Sequence, residues 1–313
     1  MGDLVLDIPE PVRLKALAEG PAGEAWLARL AGVVTDLTAE WELSLGRTLT
    51  GGTAAFVAEV TRADGREAVL KVARPGQASA ASELQVLLAA RGRGYVEVLR
   101  HDQARGAMLL ERLGSPMAEL GWSVDTQLEF LCATLQEAWA PLHEGSSFMN
   151  GAEKARSLAE FIETTWHELE HPCPERTVEV ALRYAEERHR SFDPTRAVLS
   201  HGDAHPWNTL RVPGAGPERF KFVDPEGLFI ERAYDLGILM REWTPELLLG
   251  DPRELGDRRC RRLAELTGID PGPIWQWGLI ERVSTGLVCL KVGLEGGRDL
   301  LAVADAWADG ASR

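Results

Sequence analysis

Residues 199–212 read LSHGDAHPWNTLRV, an apolar run that His201, Asp203, His205 and Asn208 interrupt within eight positions. A metal cluster, a loop that handles a proton and a metal-bound phosphate, and a polar surface turn all compete to explain it. The two histidines stand four apart, as a helical metal pair would. Gly202 and Pro206 make a continuous helix improbable there, and no Cys or further His cluster joins them. Downstream, the strand-like pieces NTLRV and RFKFVD flank the loop PGAGPE and lead into Asp224-Pro225-Glu226-Gly227. An Asp five residues before an Asn, with a second Asp after a hairpin, suits phosphoryl transfer. Asp203 would face an acceptor hydroxyl, and Asn208 and Asp224 would offer hard oxygens to Mg²⁺.

That chemistry needs few covalent helpers, because most of its catalysis is positioning and neutralisation of phosphate charge. The remaining parts occur upstream in order. Thr50-Gly51-Gly52-Thr53 forms a strand-to-strand turn, where Gly51, Gly52 and Thr53 let backbone N–H groups approach phosphate. Lys71 lies amid the apolar residues of VLKVA, where an unpaired ammonium is costly, so it should meet an anion. Glu83 follows twelve residues later and can hold it. The backbone of Glu111 to Leu113 is the expected seat for the adenine or guanine edge of ATP or GTP.

The surrounding pattern is α+β. AGEAWLARLAGVVTDLTAE, residues 22–40, has helical apolar spacing and is expected to open the fold. WELSLGRTL, AAFVAEVTR and REAVLKVAR alternate as three strands of an antiparallel meander. SELQVLLAARG predicts a helix capped by Ser82 and stopped at Gly92 or Gly94, and YVEVLRHD and GAMLLERL predict two more strands. After Leu113-Gly114-Ser115-Pro116 the patterns turn helical: DTQLEFLCATLQEAWAPLHEG, then residues 153–170 and 175–190, then Tyr234 to near Asp309. The expected organisation is a nucleotide-binding lobe over 1–113 and a helical lobe over 114–313 that carries the catalytic loop and acceptor site.

Ten Trp and 45% hydrophobic residues can fill a core of that size. No run approaches the length of a membrane span, and MGDLVLDIPEP lacks the marks of a signal segment, so a cytoplasmic protein is expected. Cys132, Cys173, Cys260 and Cys289 lie too far apart for a metal knuckle and read as free thiols. The net charge is −14, and of this the residues after Gly114 carry −12. Such acidity excludes nucleic acid and anionic membranes as partners and favours a cationic small molecule. His205, Glu226, Glu231 and Glu242, with Asp299, are the candidate contacts to that acceptor. Trp275 and Trp277 serve either the core or a sugar ring. Only five of the 34 basic residues are Lys, a bias that reflects codon composition.

At HGDAHPWN the sequence resembles the aminoglycoside phosphotransferase family, whose loop has the form H-G-D-x-x-x-x-N, matched by His201, Gly202, Asp203 and Asn208. AWLARLAGVV, WELSLGRTLTGGTAAFV, DGREAVLKVA and FVDPEGLFIERAYDLG narrow the resemblance to the streptomycin 6-kinase and hydroxyurea-resistance branch. It implies a bilobal protein-kinase-like fold, ATP or GTP as co-substrate, Mg²⁺, and a monomer or homodimer. It also implies that His201 and Asp235 brace the catalytic loop. Pro206 and Trp207 depart from the H-W-D-L-H-x-E-N form frequent in the branch, so the acceptor could differ accordingly. A metabolic sugar or amino-sugar kinase, and a nucleotide-binding regulatory protein without catalysis, remain the alternatives.

Overall fold

The computed structural model describes residues 6–50, 52, 54–139, 148–214 and 216–309. Gly51, Thr53 and His143 lie outside the described residues. The chain forms two compact units, Met1–Gly114 and Ser115–Arg313.

The first unit begins with α1 (Glu10–Ala18) and α2 (Pro21–Glu40), each opened by proline in its first turn, where the missing N–H costs nothing. Then come β1 (Leu43–Thr48), β2 (Ala55–Arg62), β3 (Glu67–Ala73), α3 (Ala78–Ala90), β4 (Val98–Asp102) and β5 (Ala107–Glu111). The strands make one sheet in the order β1-β2-β3-β5-β4, antiparallel throughout, with β5 inserted beside β3. Trp26, Leu30, Val34 and Leu37 of α2 pack with Phe56, Ala58, Leu70 and Leu109 of the sheet in one core. Burial alternates along the middle of β2, whereas β3, in the centre of the sheet, is buried on nearly every residue.

Two expectations need correction here. Helix α1 precedes the helix expected to open the fold. Helix α3 starts four residues before Ser82, because the run ASAAS favours helix and extends it back to Gln77. Its end is marked by Arg91 at φ 51°, ahead of the expected glycines.

The second unit contains α4 (Val124–Ala138), α5 (Gly151–Glu168), α6 (Glu175–Arg190), β6 (Ala197–Ser200), β7 (Thr209–Arg211), β8 (Phe220–Phe222), β9 (Leu228–Glu231), α7 (Ala233–Arg241), α8 (Thr244–Leu247), α9 (Pro252–Thr267), α10 (Pro271–Val292) and α11 (Gly297–Asp309). The expected β7–β8 hairpin is present. A second antiparallel pair, β6 with β9, flanks it and has no counterpart among the expected strands. Helix α5 starts at a capping box, in which Asn150 and Glu153 satisfy each other's backbone N–H groups. Helices α7 and α10 cross closely at Gly237 and Gly278, where an added Cβ would fall 2.5 Å from Trp277 and 2.6 Å from Met240 respectively. This crossing brings the last turn of α7 beside Glu281. No helix among the described residues is long and apolar enough to cross a membrane.

Candidate active site

In the first unit, β3 carries Lys71 opposite Val57 of β2 and Met108 of β5. Its Nζ donates to Glu83 Oε1 of α3 at 2.7 Å, with the two side chains only 12% and 10% exposed. This ion pair, in low-dielectric surroundings, holds the ammonium against α3. Glu111 ends β5, and its carboxylate and backbone N–H clamp Glu97, while Leu113 beyond it is buried. Gly52 is exposed. Its partners in the expected phosphate loop, Gly51 and Thr53, are not described.

In the second unit, the segment from His201 to Asn208 joins β6 to β7, and Asp224 to Gly227 joins β8 to β9. His201 ties the two segments together. Its ring accepts from the Asp203 N–H at Nδ1 (3.1 Å) and donates from Nε2 to the Val223 carbonyl (2.9 Å), while its own carbonyl accepts from Glu226 and Gly227. Burial pushes the His201 basicity down against the pull of Asp235 and Asp203, consistent with that neutral tautomer. With both ring nitrogens spent this way, His201 has none for zinc. Gly202 has φ +88°, and a Cβ there would meet that of Glu226 at 2.9 Å, so glycine is required.

Asp235, fully buried at the start of α7, braces the loop from below. It accepts from Gly202 N at 2.9 Å, His201 N at 3.2 Å and Trp139 Nε1 at 2.9 Å.

Both oxygens of the Asp203 carboxylate are engaged. Oδ1 accepts from Arg241 Nη2 at 2.8 Å, and Oδ2 lies 3.3 Å from His205 Nε2. The Trp207 N–H points at His205 Nδ1, so the proton of that ring sits on Nε2, facing Asp203. Burial would raise the Asp203 carboxyl, but the His205 hydrogen bond and the Arg241 charge outweigh it and hold the group well below the usual carboxylate range. Asn208 donates from Nδ2 to the Asp203 carbonyl at 3.1 Å, which leaves Oδ1 as the atom for a hard cation. Asp224 is exposed, with φ +55° in the turn before Pro225. An amide oxygen and a carboxylate fit Mg²⁺, and Mg²⁺ held there would supply charge neutralisation for phosphate.

The sequence matches the profile of the aminoglycoside/hydroxyurea antibiotic resistance kinase family over residues 40–293. The chain belongs to this family. It is 29% identical to streptomycin 6-kinase from Streptomyces glaucescens over 87% of either chain. With streptomycin 6-kinase from Streptomyces griseus the identity is again 29%, over 92% of either chain. Its fold resembles that of aminoglycoside phosphotransferase APH(3'')-Id from Streptomyces rimosus, solved in complex with ADP and streptomycin. The TM-score is 0.53 at 18% identity, covering 82% of this chain and 98% of the other. The protein is thus an enzyme, a phosphotransferase acting on hydroxyl groups, with a bilobal α+β kinase-like fold.

The kinase sorts the expected acceptor residues into two groups. His205 lies within the His201–Asn208 loop beside Asp203, Glu226 adjoins that loop at Gly202, and Glu242 reaches it indirectly by pairing with Arg241 at 3.2 Å. Glu231 has other partners, Arg188 at 3.2 Å and Trp277 Nε1 at 2.9 Å, so its carboxylate is committed to joining β9 to α6 and α10. Asp299 is exposed on α11. Trp275 and Trp277 are buried, which resolves their alternative in favour of the core.

Four further residues complete the surroundings of the loop. Lys154 of α5 donates to Glu226 at 3.3 Å and lies over the Tyr234 ring at 5.6 Å. Burial would lower its ammonium, yet the charges of Glu226 and Glu281 raise it. Tyr234 donates to Glu281 Oε1 at 2.5 Å, and Glu281 Oε2 lies 3.5 Å from Arg241. The sequence signal for Arg241 was its place closing the apolar helix AYDLGILMR, seven residues and so two turns after Tyr234. Lys154 carried only its rarity as a lysine.

Proposed function

We propose that the kinase transfers the γ-phosphoryl group of ATP, or of GTP, to a hydroxyl of a cationic aminocyclitol such as streptomycin. The observation that carries this reading is the Asp203 carboxylate, fixed by Arg241 and His205, with the carboxylates of Glu226, Glu242 and Glu281 in the same network. The names of the two relatives and the ADP and streptomycin bound to the structural neighbour support it.

In this reading Lys71, held by Glu83, binds the α- and β-phosphates, Gly51 to Thr53 cover them, and Glu111 to Leu113 take the base edge. Asn208 and Asp224 hold Mg²⁺. Asp203 orients the acceptor hydroxyl. The hydroxyl oxygen bonds to the γ-phosphorus as the bond to the β–γ bridging oxygen breaks, and the diphosphate leaves with that electron pair. The hydroxyl proton passes to Asp203 late and then to solvent, as suits a loose transition state and a weakly basic carboxylate. Glu226 and Glu242 draw the acceptor's ammonium or guanidinium groups, and the work is done in the cytoplasm.

The test is phosphorylation with Mg²⁺ and either nucleotide across streptomycin, other aminoglycosides, hydroxyurea, amino sugars and simple sugars, with Asp203→Ala as the blank. The expected result is turnover of streptomycin, reduced by about 10²–10⁴-fold in Asp203→Ala while nucleotide binding survives. Near-normal turnover by Asp203→Ala overturns the residue assignment. Turnover of a plain sugar alone would make the enzyme a metabolic kinase, and nucleotide binding without any turnover would end the aminocyclitol reading.

A further inference from the structure

Arg241 is held with more care than a surface charge requires. Its side chain is 15% exposed, and besides Asp203 it approaches Glu242 at 3.2 Å, Glu281 at 3.5 Å and Thr285 Oγ1 at 3.5 Å. The backbone beneath it is pinned from two sides. Arg282 is fully buried and donates to the carbonyls of Met240 (2.6 Å) and Arg241 (2.9 Å) and to Thr244 Oγ1 (2.9 Å). Arg259 donates to the Glu242 carbonyl at 2.6 Å. Between these anchors Trp243 adopts φ +51°, a conformation that a bulky side chain holds only when its surroundings impose it.

Glu242 and Glu281 already offer this guanidinium two carboxylates, so its charge does not need Asp203. What the extra contact does is geometric. Arg241 Nη2 takes Oδ1, and His205 Nε2 takes the Oδ2 side, and two donors on opposite oxygens fix the rotation of a carboxylate. We infer that Arg241 is a positioning residue for phosphoryl transfer, holding Asp203 through Oδ1 so that the Oδ2 edge meets the acceptor hydroxyl. The inference rests on the reading of Asp203 as the group that faces that hydroxyl. It adds a residue from the far end of α7, anchored by two buried arginines, to the parts that reaction requires.

Two measurements test it. The first is a crystal structure of Arg241→Gln, which needs no acceptor. The Asp203 side chain is expected to leave its wild-type rotamer, and an unmoved Asp203 overturns the inference. The second is a double-mutant cycle with the fastest acceptor from the panel and MgATP. Arg241→Gln should lower kcat by about 10²-fold, the scale of a small misplacement of a reacting group, with acceptor and nucleotide KM nearly unchanged. Arg241→Lys should recover part of kcat, and serves alone if the Gln variant does not fold. In an Asp203→Ala background the Arg241 substitution should cost nothing further. Losses that multiply would mean that Arg241 acts independently of Asp203, and losses confined to KM would mean that it binds acceptor. If Asp203→Ala turned over like the wild type, the functional reading would fail, while the crystallographic arm would still judge the pairing.

Discussion

The Lys71–Glu83 and Asp203–Arg241 pairs are nearly equal in length, 2.7 and 2.8 Å, yet they use charge differently. Lys71 pairs with Glu83 of the neighbouring helix α3, which ties the ammonium to that helix. Asp203 meets an arginine that Glu242 and Glu281 also claim, while nearby Lys154 is paired with Glu226. The second pair therefore belongs to a network in which Glu226, Glu242 and Glu281 share Arg241 and Lys154 with Asp203. The lesson is that ion pairs of the same length can do different work: one ties a strand to a helix, and the other is a link in a network of several charges.

The sharpest way to break this contrast is at Lys71. Lys71→Ala should lower kcat by about 10²–10³-fold in steady-state assays, the scale for losing one preorganised donor to developing charge. Lys71→Arg should fail to restore it, because a forked guanidinium does not replace a compact ammonium 2.7 Å from Glu83. Wild-type turnover by Lys71→Arg would reduce the pair to simple charge balance.

A smaller effect, on stability, tests the brace below the second site. Asp235→Ala strands three donors, the N–H groups of His201, Gly202 and Trp139 Nε1, and should cost about 3 kcal/mol or more by urea unfolding. An unchanged midpoint would mean that the loop keeps its shape without that carboxylate.

The pH dependence sharpens the comparison further. Because the folded state holds the Asp203 carboxyl below its ordinary value, the group stabilises the fold above about pH 4. That contribution is lost as pH falls through the ordinary range toward the lowered value. Unfolding measured from pH 6 to pH 2 should therefore show a steeper acid loss in the wild type than in Arg241→Gln, and parallel curves would deny the electrostatic coupling.

The smallest expected effect is at Glu19, which braces the segment after β3 through Arg74 at 2.6 Å and Gln77 at 3.0 Å. Glu19→Ala should lower stability by about 0.5–1 kcal/mol in thermal unfolding and leave the Lys71 chemistry intact. A collapse of nucleotide affinity would show that this brace governs α3 and, through it, Glu83.

What could be read from the sequence follows the range of the contacts. Lys71 and Glu83 lie twelve residues apart on a strand and the next helix, and Asp203 and Asn208 share one loop, so spacing alone brought each pair to notice. Arg241 reaches Asp203 across 38 residues and Lys154 reaches Glu226 across 72, contacts between separate elements that no local spacing announces. The same gap hid Glu231, whose acidity suggested substrate while the register of β9 gave it to Arg188 and Trp277. Local propensity also misled once. The Ser82 cap was plausible chemistry, but the small residues before it carry α3 onward to Gln77.

The scarcity of lysine has a practical consequence. The chain has five primary side-chain amines, and two of them, Lys71 and Lys154, are mostly shielded, at 12% and 18% exposure. An amine-directed acylating probe carried on a nucleotide would therefore have few competing side chains, namely Lys15, Lys221 and Lys291. A single mass increment would map to one peptide, and protection of that peptide by unmodified nucleotide would count occupancy molecule by molecule. A lysine-poor composition leaves this enzyme suited to covalent footprinting.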